Sequence, residues 1–337
     1  LIIALAIPAV QMILFGYAIN FDVRHIQCVV VDLDRSQESR DYLERLHAGQ
    51  YIDYVAYAST PDEAALMLKN GSARVGITIP PGFARTELAG GNPQVGVMID
   101  GSDAQVSQRA RSAFLAPPAA LAPGAPDVRI NVLFNPDSRT ADYMIPGLIA
   151  IILQVVTTAL TAFSVVREKE QGTLEQLMVT PVGRLAVMIG KLVPYAILAM
   201  LELVVVLFFS DVVFNVVSRG SVVALAIMST PFVLASLALG LLISTVAQTQ
   251  GQALQLTQLL VMPGILLSGY VSPRDTMPGW LYLLSTLIPA THYIQITRGI
   301  MIRGASFTDL LTPFFALIGM ATFLILASTA RFRKSLA

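Results

Sequence analysis

Charged residues are scarce in this sequence. Only 13% of its 337 residues are Asp, Glu, Lys or Arg, and 55% are hydrophobic, whereas soluble proteins carry about 25% charged residues. The deficit is uneven along the chain. Residues 21–142 have the composition of a soluble protein, but long stretches after them hold almost no charge. A single large soluble core is therefore excluded, and we expect the chain to occupy two solvents, water and the lipid bilayer.

Other absences exclude further classes of function. The net charge is zero and the basic residues form no stripe, so nucleic acid is not an expected partner. Cys28 is the only cysteine, which excludes an intrachain disulfide, and we expect it to be buried among apolar groups. No GxxxxGK[ST], HExxH or GxSxG motif occurs. We therefore expect no cofactor, no metal and no catalytic set in this chain.

Six apolar stretches are predicted to be transmembrane helices, because crossing about 30 Å of hydrocarbon takes about 20 mainly apolar residues. The chain begins at Leu1, already inside the first stretch, so we expect a cytoplasmic segment to precede it. The length of that stretch favours a membrane helix over a cleaved signal peptide. The fifth stretch is short and contains Pro263. The predicted spans are 1–19, 144–166, 186–209, 221–246, 253–267 and 310–329.

A shorter apolar segment precedes the last span. Residues 272–293 contain an apolar core that is too short to cross and is bracketed by prolines. We predict that this segment re-enters the outer leaflet and returns, with Trp280 at the level of the lipid headgroups.

The distribution of Lys and Arg predicts the orientation in the membrane. Basic residues concentrate in the loop 167–185 and in the C-terminal tail, and short basic loops face the cytoplasm. With six spans, both termini are then cytoplasmic. Residues 21–142, inserted between the first and second spans, are expected in the periplasm or extracellular space. This divides the chain into a first helix (1–20), an external domain (21–142) and a transmembrane domain (143–337).

The external segment alternates between strand-like and helical patterns, which predicts a small α/β domain. Asp100-Gly101-Ser102-Asp103 follows one strand, and it lacks the spacing of an EF-hand, so a turn is favoured over a metal loop. We expect a docking or gating element rather than an enzyme. The predicted strands are 25–32, 52–56, 75–79, 95–100 and 129–134, and the predicted helices are 36–48, 61–70 and 104–116.

The segment 167–181, REKEQGTLEQLMVTP, is charged and amphipathic. Leu174, Leu177 and Met178 have the i, i+3, i+4 spacing of one helix face. The segment is either a solvated connector with stop-transfer charges or a docking surface for a basic groove on a partner.

The run 143–191, the segment LLSGYVSPRDTMPGWLYLLSTLIPATHYIQITRGIMIRG at 266–304 and the sequence at 100–103 resemble the ABC-2 family of ABC-exporter permeases. The bacterial drug-exporter subgroup is the most similar, and the resemblance covers nearly the whole chain. It implies a permease of the bacterial inner membrane that moves a hydrophobic or amphipathic, drug-like compound outward by alternating access. Separate ATPase subunits would bind ATP and Mg. A second permease chain and a periplasmic adaptor (membrane fusion protein) are further implied partners.

The resemblance also implies roles for individual residues. The loop after the second span would be a coupling helix that inserts into a cleft of the ATPase, and the re-entrant segment would line an outer gate. The coupling residues so implied are Arg167, Glu168, Lys169, Glu170, Gly172, Thr173, Glu175 and Gln176. The implied gate residues are Trp280, His292 and Tyr293.

Polar residues within the predicted spans are a second set of candidates, because polar groups in hydrocarbon are costly and usually face the bundle interior. They either line a translocation path or form interhelical hydrogen bonds. Glu202 is the ionisable member of the set. The four candidates are Gln154, Glu202, Gln255 and Gln258.

Two other classes of protein compete with the exporter. An ion-coupled secondary transporter would use Glu202 as its coupling carboxylate, but such transporters often contain inverted repeats, and we find none. A membrane receptor would bind a ligand through the external domain, but no internal loop is long enough for a signalling module.

Overall fold

A computed structural model of the chain describes residues 25–49, 51–115, 126–172 and 184–331. These residues form an α/β unit followed by a helical bundle. The first predicted span, most of the predicted coupling loop and the end of the C-terminal tail lie outside the described residues.

The α/β unit contains one five-stranded sheet, and its strands and three of its helices lie at the predicted positions within two residues. The strand order is β2-β1-β3-β4-β5, and all neighbouring pairs are parallel except β3 and β4. The strands are β1 (Ile26–Asp32), β2 (Ile52–Tyr57), β3 (Val75–Ile79), β4 (Gln94–Asp100) and β5 (Asp127–Leu133). The helices are α1 (Gln37–Ala48), α2 (Pro61–Asn70), α3 (Phe83–Leu88) and α4 (Ala104–Leu115).

Side-chain caps start α1 and α2. The Ser36 hydroxyl accepts a hydrogen bond from the backbone N–H of Ser39 at 3.1 Å, and the Thr60 hydroxyl accepts one from Glu63 at 3.2 Å. Such caps satisfy N–H groups that have no partner within the helix. These local signals explain why both helices begin where the sequence predicts.

Helix α3 is missing from the sequence prediction. It has six residues and follows Gly82, whose φ of +87° suits glycine. The Asp34 carboxylate accepts hydrogen bonds from the backbone N–H groups of Gly82 at 2.7 Å and Ala84 at 3.1 Å. A residue distant in the sequence thus stabilises the start of α3, which no local periodicity reveals.

Helices cover both faces of the sheet. Cys28, fully buried as expected, belongs to the larger core between the sheet and α1, α3 and α4. On the other face, Val29 and Val31 pack against Leu68 of α2. Strand β1 is therefore buried on both faces, which explains why its sequence is a nearly continuous apolar run.

The bundle is built around one central helix, α7, which packs against α5, α6, α8, α10 and α11. Two 3₁₀ turns, Arg274–Thr276 and Phe307–Leu310, precede α9 and α11. The helices of the bundle are α5 (Thr140–Glu170), α6 (Arg184–Phe214), α7 (Val222–Val246), α8 (Gln250–Leu267), α9 (Gly279–Thr286), α10 (Pro289–Met301) and α11 (Leu311–Arg331).

Four helices in the described part of the chain are long and apolar enough to cross a membrane: α5, α7, residues Gly190–Phe214 of α6, and Phe307–Arg331. Helix α8 lies at the position of the predicted fifth span. It has 18 residues, and several glutamines occur among its apolar residues. Helices α9 and α10 form a pair at the predicted re-entrant segment, but α10 continues to Met301, well beyond the predicted end at residue 293.

Small residues let α5 and α7 approach closely. A Cβ atom at Gly240 of α7 would lie 2.5 Å from the carbonyl oxygen of Thr158 on α5. The Thr158 hydroxyl in turn donates to the carbonyl oxygen of Ser236 at 3.2 Å. Close backbone approach at small residues is typical of helix packing in membranes.

Candidate functional site

The C-terminal end of α5, where the predicted coupling loop begins, contacts its neighbours through charged side chains. Glu168 forms an ion pair with Lys191 of α6. The Lys169 ammonium group donates to the carbonyl oxygen of Ala247, which follows the last turn of α7, at 3.1 Å. This end of α5 is thereby held to both α6 and α7.

Glu170 extends the same contacts to α8. Its carboxylate accepts hydrogen bonds from the backbone N–H (3.0 Å) and the side-chain amide (2.7 Å) of Gln250. Gly172 follows with φ +71° and lets the chain turn away. Arg167 is exposed. The other predicted coupling residues, Thr173, Glu175 and Gln176, lie outside the described residues.

The four polar residues of the predicted spans have different environments. Gln154 is buried and Glu202 is half-buried, whereas Gln255 and Gln258 are exposed on the surface of the single chain. Within this chain, Gln154 faces the bundle interior and the two glutamines of α8 do not. The structure does not bring the four residues into one cluster.

Glu202 lines an apolar cavity of about 330 Å³ between α5 and α6. Thr157 and Tyr195 also line this cavity, and the Thr157 hydroxyl is buried without a hydrogen-bond partner among the described residues. Among the described residues, one carboxyl-bearing and two hydroxyl-bearing side chains therefore belong to an otherwise apolar wall. Such a wall fits an amphipathic compound better than a strongly polar one.

Two of the predicted gate residues, Trp280 and His292, lie on α9 and α10. The Trp280 side chain is 49% exposed at the start of α9. The Nε2 atom of His292 donates to the carbonyl oxygen of Thr286 at 2.9 Å. This bond gives His292 a local role, which is to hold the turn between α9 and α10.

Tyr293, the third predicted gate residue, lies inside the bundle. It is fully buried, and its ring stacks on Phe232 of α7 with the ring centroids 4.0 Å apart and an interplanar angle of 13°. Its hydroxyl lies 2.6 Å from the Ser229 hydroxyl. Tyr293 therefore anchors α10 to the central helix.

A set of charged side chains, the junction cluster, joins the α/β unit to the bundle. Its members are Arg74, Asp100, Asp103, Arg298 and Arg303. The Asp100 carboxylate is fully buried and lies 2.9 Å from the Arg74 guanidinium and 3.9 Å from that of Arg303. Asp103 and Arg298 approach to 3.8 Å. Burial lowers the pKa of Arg303 to about 10, so this side chain remains cationic at neutral pH.

The turn Asp100-Gly101-Ser102-Asp103 positions the two carboxylates, as the sequence analysis favoured. Asp100 accepts a hydrogen bond from the backbone N–H of Ser102 at 2.9 Å, and Asp103 accepts the first N–H groups of α4. A Cβ atom at Gly101 would lie 2.7 Å from the carbonyl oxygen of Leu133, so this position requires glycine. Within the described residues, no group of His, Cys, Asp and Glu could hold a metal.

Arg298 connects the junction cluster to the bundle. Its guanidinium donates to the carbonyl oxygen of Gly269 at 3.1 Å and lies 4.2 Å from the centroid of the Tyr143 ring, a cation–π contact. A second link runs from the side-chain amide of Gln105 to the carbonyl oxygen of Val271 at 2.8 Å. The α/β unit is thus bonded to α10 and to the connection between α8 and α9.

The sequence analysis did not single out Arg298 or Arg303. A signal exists, because the two arginines form Arg-Gly pairs in an otherwise apolar segment, and a buried arginine needs a partner. Their partners lie in a different part of the chain, where local patterns cannot connect them.

The four helices of the bundle that are long and apolar enough to cross a membrane define the class of protein, a multi-pass membrane protein that also carries an α/β unit. The chain belongs to the ABC-2 family of transporter proteins, whose sequence profile matches residues 1–330.

Relatives in Escherichia coli strain K12 give a more specific comparison. The probable multidrug ABC transporter permease YbhS is 29% identical over 321 residues, which cover 90% of this chain and 84% of YbhS. The probable multidrug ABC transporter permease YbhR is 28% identical over 335 residues, covering 96% of this chain and 91% of YbhR. The inner membrane transport permease YhhJ is 26% identical over 322 residues, covering 91% and 85%.

Proposed function

We propose that this chain is the permease subunit of an ATP-driven ABC exporter in the bacterial inner membrane. It moves a hydrophobic or amphipathic, drug-like compound outward by alternating access. The observation that carries the proposal is its membership of the ABC-2 family over nearly its whole length. Similarity to relatives named as multidrug and inner membrane permeases supports the substrate class and the location.

The proposed topology has six spans, with α9 and α10 as the re-entrant pair. Helix α5 supports it, because its 31 residues extend about 46 Å at 1.5 Å per residue and so exceed the hydrocarbon thickness of about 30 Å. Tyr143, near its first turn, contacts the junction cluster, whereas Glu170 ends its last turn. The α/β unit and the loop 167–185 then lie on opposite sides of the membrane, outside and in the cytoplasm respectively.

Coupling to ATP hydrolysis would enter through the loop 167–185. The ATPase subunits bind ATP and Mg, and this chain supplies the surface that they move. Because Glu168, Lys169 and Glu170 contact α6, α7 and the start of α8, a displacement of the loop acts directly on three helices. Two packing arrangements of these helices would then be the inward and outward states.

A second permease chain completes the transporter. Gln255 and Gln258 are exposed on the single chain within an apolar helix, and polar side chains at such depth are stabilised by a protein or water neighbour rather than by lipid. The translocation path would run between the two chains, past Glu202, with Gln154 inside the bundle. The external α/β unit would be the docking surface for a periplasmic adaptor.

Charge reversal at the loop tests the proposal. The full chain is co-purified with the ATPase encoded beside its gene, reconstituted in lipid, and assayed for ATP turnover. We expect Glu170→Lys and Glu175→Lys to lower turnover of the complex. Glu44→Lys is the matched control, since Glu44 is exposed on α1, on the far side of the membrane. An ATPase that does not bind the chain, or one whose turnover is equal in all variants, would contradict the proposal.

A further inference from the structure

A polar cavity of about 350 Å³ lies between the α/β unit and the bundle. Its walls come from the connection between α2 and β3, the turn after β4, the connection between α8 and α9, α10, and the start of α11. Arginine dominates the charge on these walls. Four arginines line the cavity: Arg74, Arg274, Arg298 and Arg303.

Of the described side chains, fewer carboxylates than arginines face this space. Asp103 and Asp309 line the cavity, and Asp100 lies against Arg74 and Arg303. The carboxylates also accept backbone hydrogen bonds. Asp103 caps α4, and Asp309 accepts the N–H of Ser306 at 2.8 Å. Among the side chains that the structure describes, four cations against three anions leave a net positive charge in a partly enclosed space.

Arg298 and Arg303 carry donors that have no partner in the described part of the chain. Both side chains belong to residues at least nine-tenths buried, with 9% and 7% exposed. The Nε atoms of both, and Nη1 of Arg303, are buried without a hydrogen-bond partner among the described residues. The carboxylate of Asp100 lies 3.9 Å from Nη1 of Arg303, which is too far for a hydrogen bond.

These features together fit a tetrahedral oxyanion. A guanidinium presents N–H groups in a planar fork that matches phosphate, and a buried donor without a partner is costly. We propose that the cavity binds a phosphate group, held chiefly by Arg298 and Arg303. Its volume admits a phosphate with a small polar substituent.

The phosphate can come from an anionic phospholipid or from solution. In the topology proposed above, the cavity lies at the outer end of the bundle, beside Tyr282 of α9, at the level where lipid phosphates and aromatic side chains lie. The lipid source therefore rests on the proposed function, but phosphate binding as such does not.

The test uses the full chain, purified without an ATPase, and two isosteric variants. Gln295 is half-buried and lines the cavity, so Gln295→Glu adds a carboxylate there without removing any arginine. Gln108→Glu makes the same change on the exposed face of α4 and is the control. Arg303→Gln is a further variant, interpreted only if it is recovered in folded form.

The readout is the thermal unfolding midpoint of the delipidated chain in neutral detergent. One arm titrates inorganic phosphate against chloride at equal ionic strength, and the other titrates phosphatidylglycerol against phosphatidylcholine. We expect one of the two probes to raise the midpoint. Gln295→Glu should weaken its apparent affinity by about tenfold or more, because a like charge is placed beside the bound anion, and Gln108→Glu should not.

The outcomes separate the sources. A shift with phosphatidylglycerol alone identifies the lipid headgroup, and a shift with inorganic phosphate identifies the free ion. No shift with either probe, or an equal effect of both glutamate variants, overturns the proposal. Since no ATPase is present, that failure would leave the proposed exporter function untouched.

Discussion

Replacing Asp100 by asparagine tests whether the junction cluster stabilises the fold. Asp100 is fully buried at the end of β4, with Arg74 at 2.9 Å and Arg303 at 3.9 Å. Asparagine keeps the shape of the side chain and an oxygen that can accept the N–H of Ser102. The substitution therefore removes one negative charge that faces two arginines, and it places an amide NH2 group where Asp100 accepts the hydrogen bond of Arg74.

The expected cost follows from the burial of the two arginines. Removing one partner of a buried ion pair costs about 3–5 kcal/mol, because the other charge is left uncompensated. The Arg303 side chain is 6% exposed and cannot regain water, but that of Arg74 is 26% exposed and can. We therefore expect Asp100→Asn to lower the free energy of unfolding by about 3 kcal/mol, near the lower end of that range.

Asp127→Asn is the matched control. Asp127 pairs with Arg129 at 2.8 Å, but the two side chains are 43% and 69% exposed, and exposed pairs contribute about 0–1 kcal/mol. Denaturant titration of the full chain in mixed micelles measures both variants. Adding Arg303→Met to Asp100→Asn should recover part of the loss, because the uncompensated charge is removed. Equal, small losses for Asp100→Asn and Asp127→Asn would refute the reasoning.

Three further predictions use the same full chain. Gly240→Ala should lower the free energy of unfolding by about 1–3 kcal/mol by overpacking α5 against α7, whereas Gly319→Ala, which points into open space, should change it little; equal effects in the titration would contradict this contact. Tyr293→Ala should cost about 3–5 kcal/mol, but Tyr293→Phe only about 1 kcal/mol, since the stacking on Phe232 is kept; similar losses would show that the hydroxyl group dominates. Glu202→Gln should lower transport of an amphipathic dye by the reconstituted complex without lowering ATP turnover, and full transport would remove Glu202 from the path.

The α/β unit was predictable because its signals are local. The strands contain apolar residues in short continuous or alternating patterns, and Ser36 and Thr60 cap helices within one turn of their own positions. Helix α3 was not predictable, since its start depends on Asp34, which is distant in the sequence. The elements that were predicted therefore depend on local sequence patterns, whereas the helix that was missed depends on a tertiary contact.

The bundle shows a different limit of sequence reasoning. The lengths of the apolar stretches predicted α5, α6, α7 and the last helix. Helix α10 extends past its predicted end, where Arg298 contacts Gly269 and Asp103, and hydropathy alone does not reveal these contacts. Gln255 and Gln258 were expected to face inward because hydrocarbon penalises polar groups. Both are exposed on the surface of the single chain, where the proposed second permease chain would cover them.

The energy source is the most direct test of the account. The permease and its ATPase are reconstituted into proteoliposomes with the cytoplasmic side outward, and uptake of an amphipathic dye into the lumen is measured. The account predicts uptake that requires ATP, persists when ion gradients are dissipated, and falls with Glu170→Lys but not with Glu44→Lys. Uptake driven by an imposed proton or sodium gradient without ATP would contradict it and would favour an ion-coupled transporter.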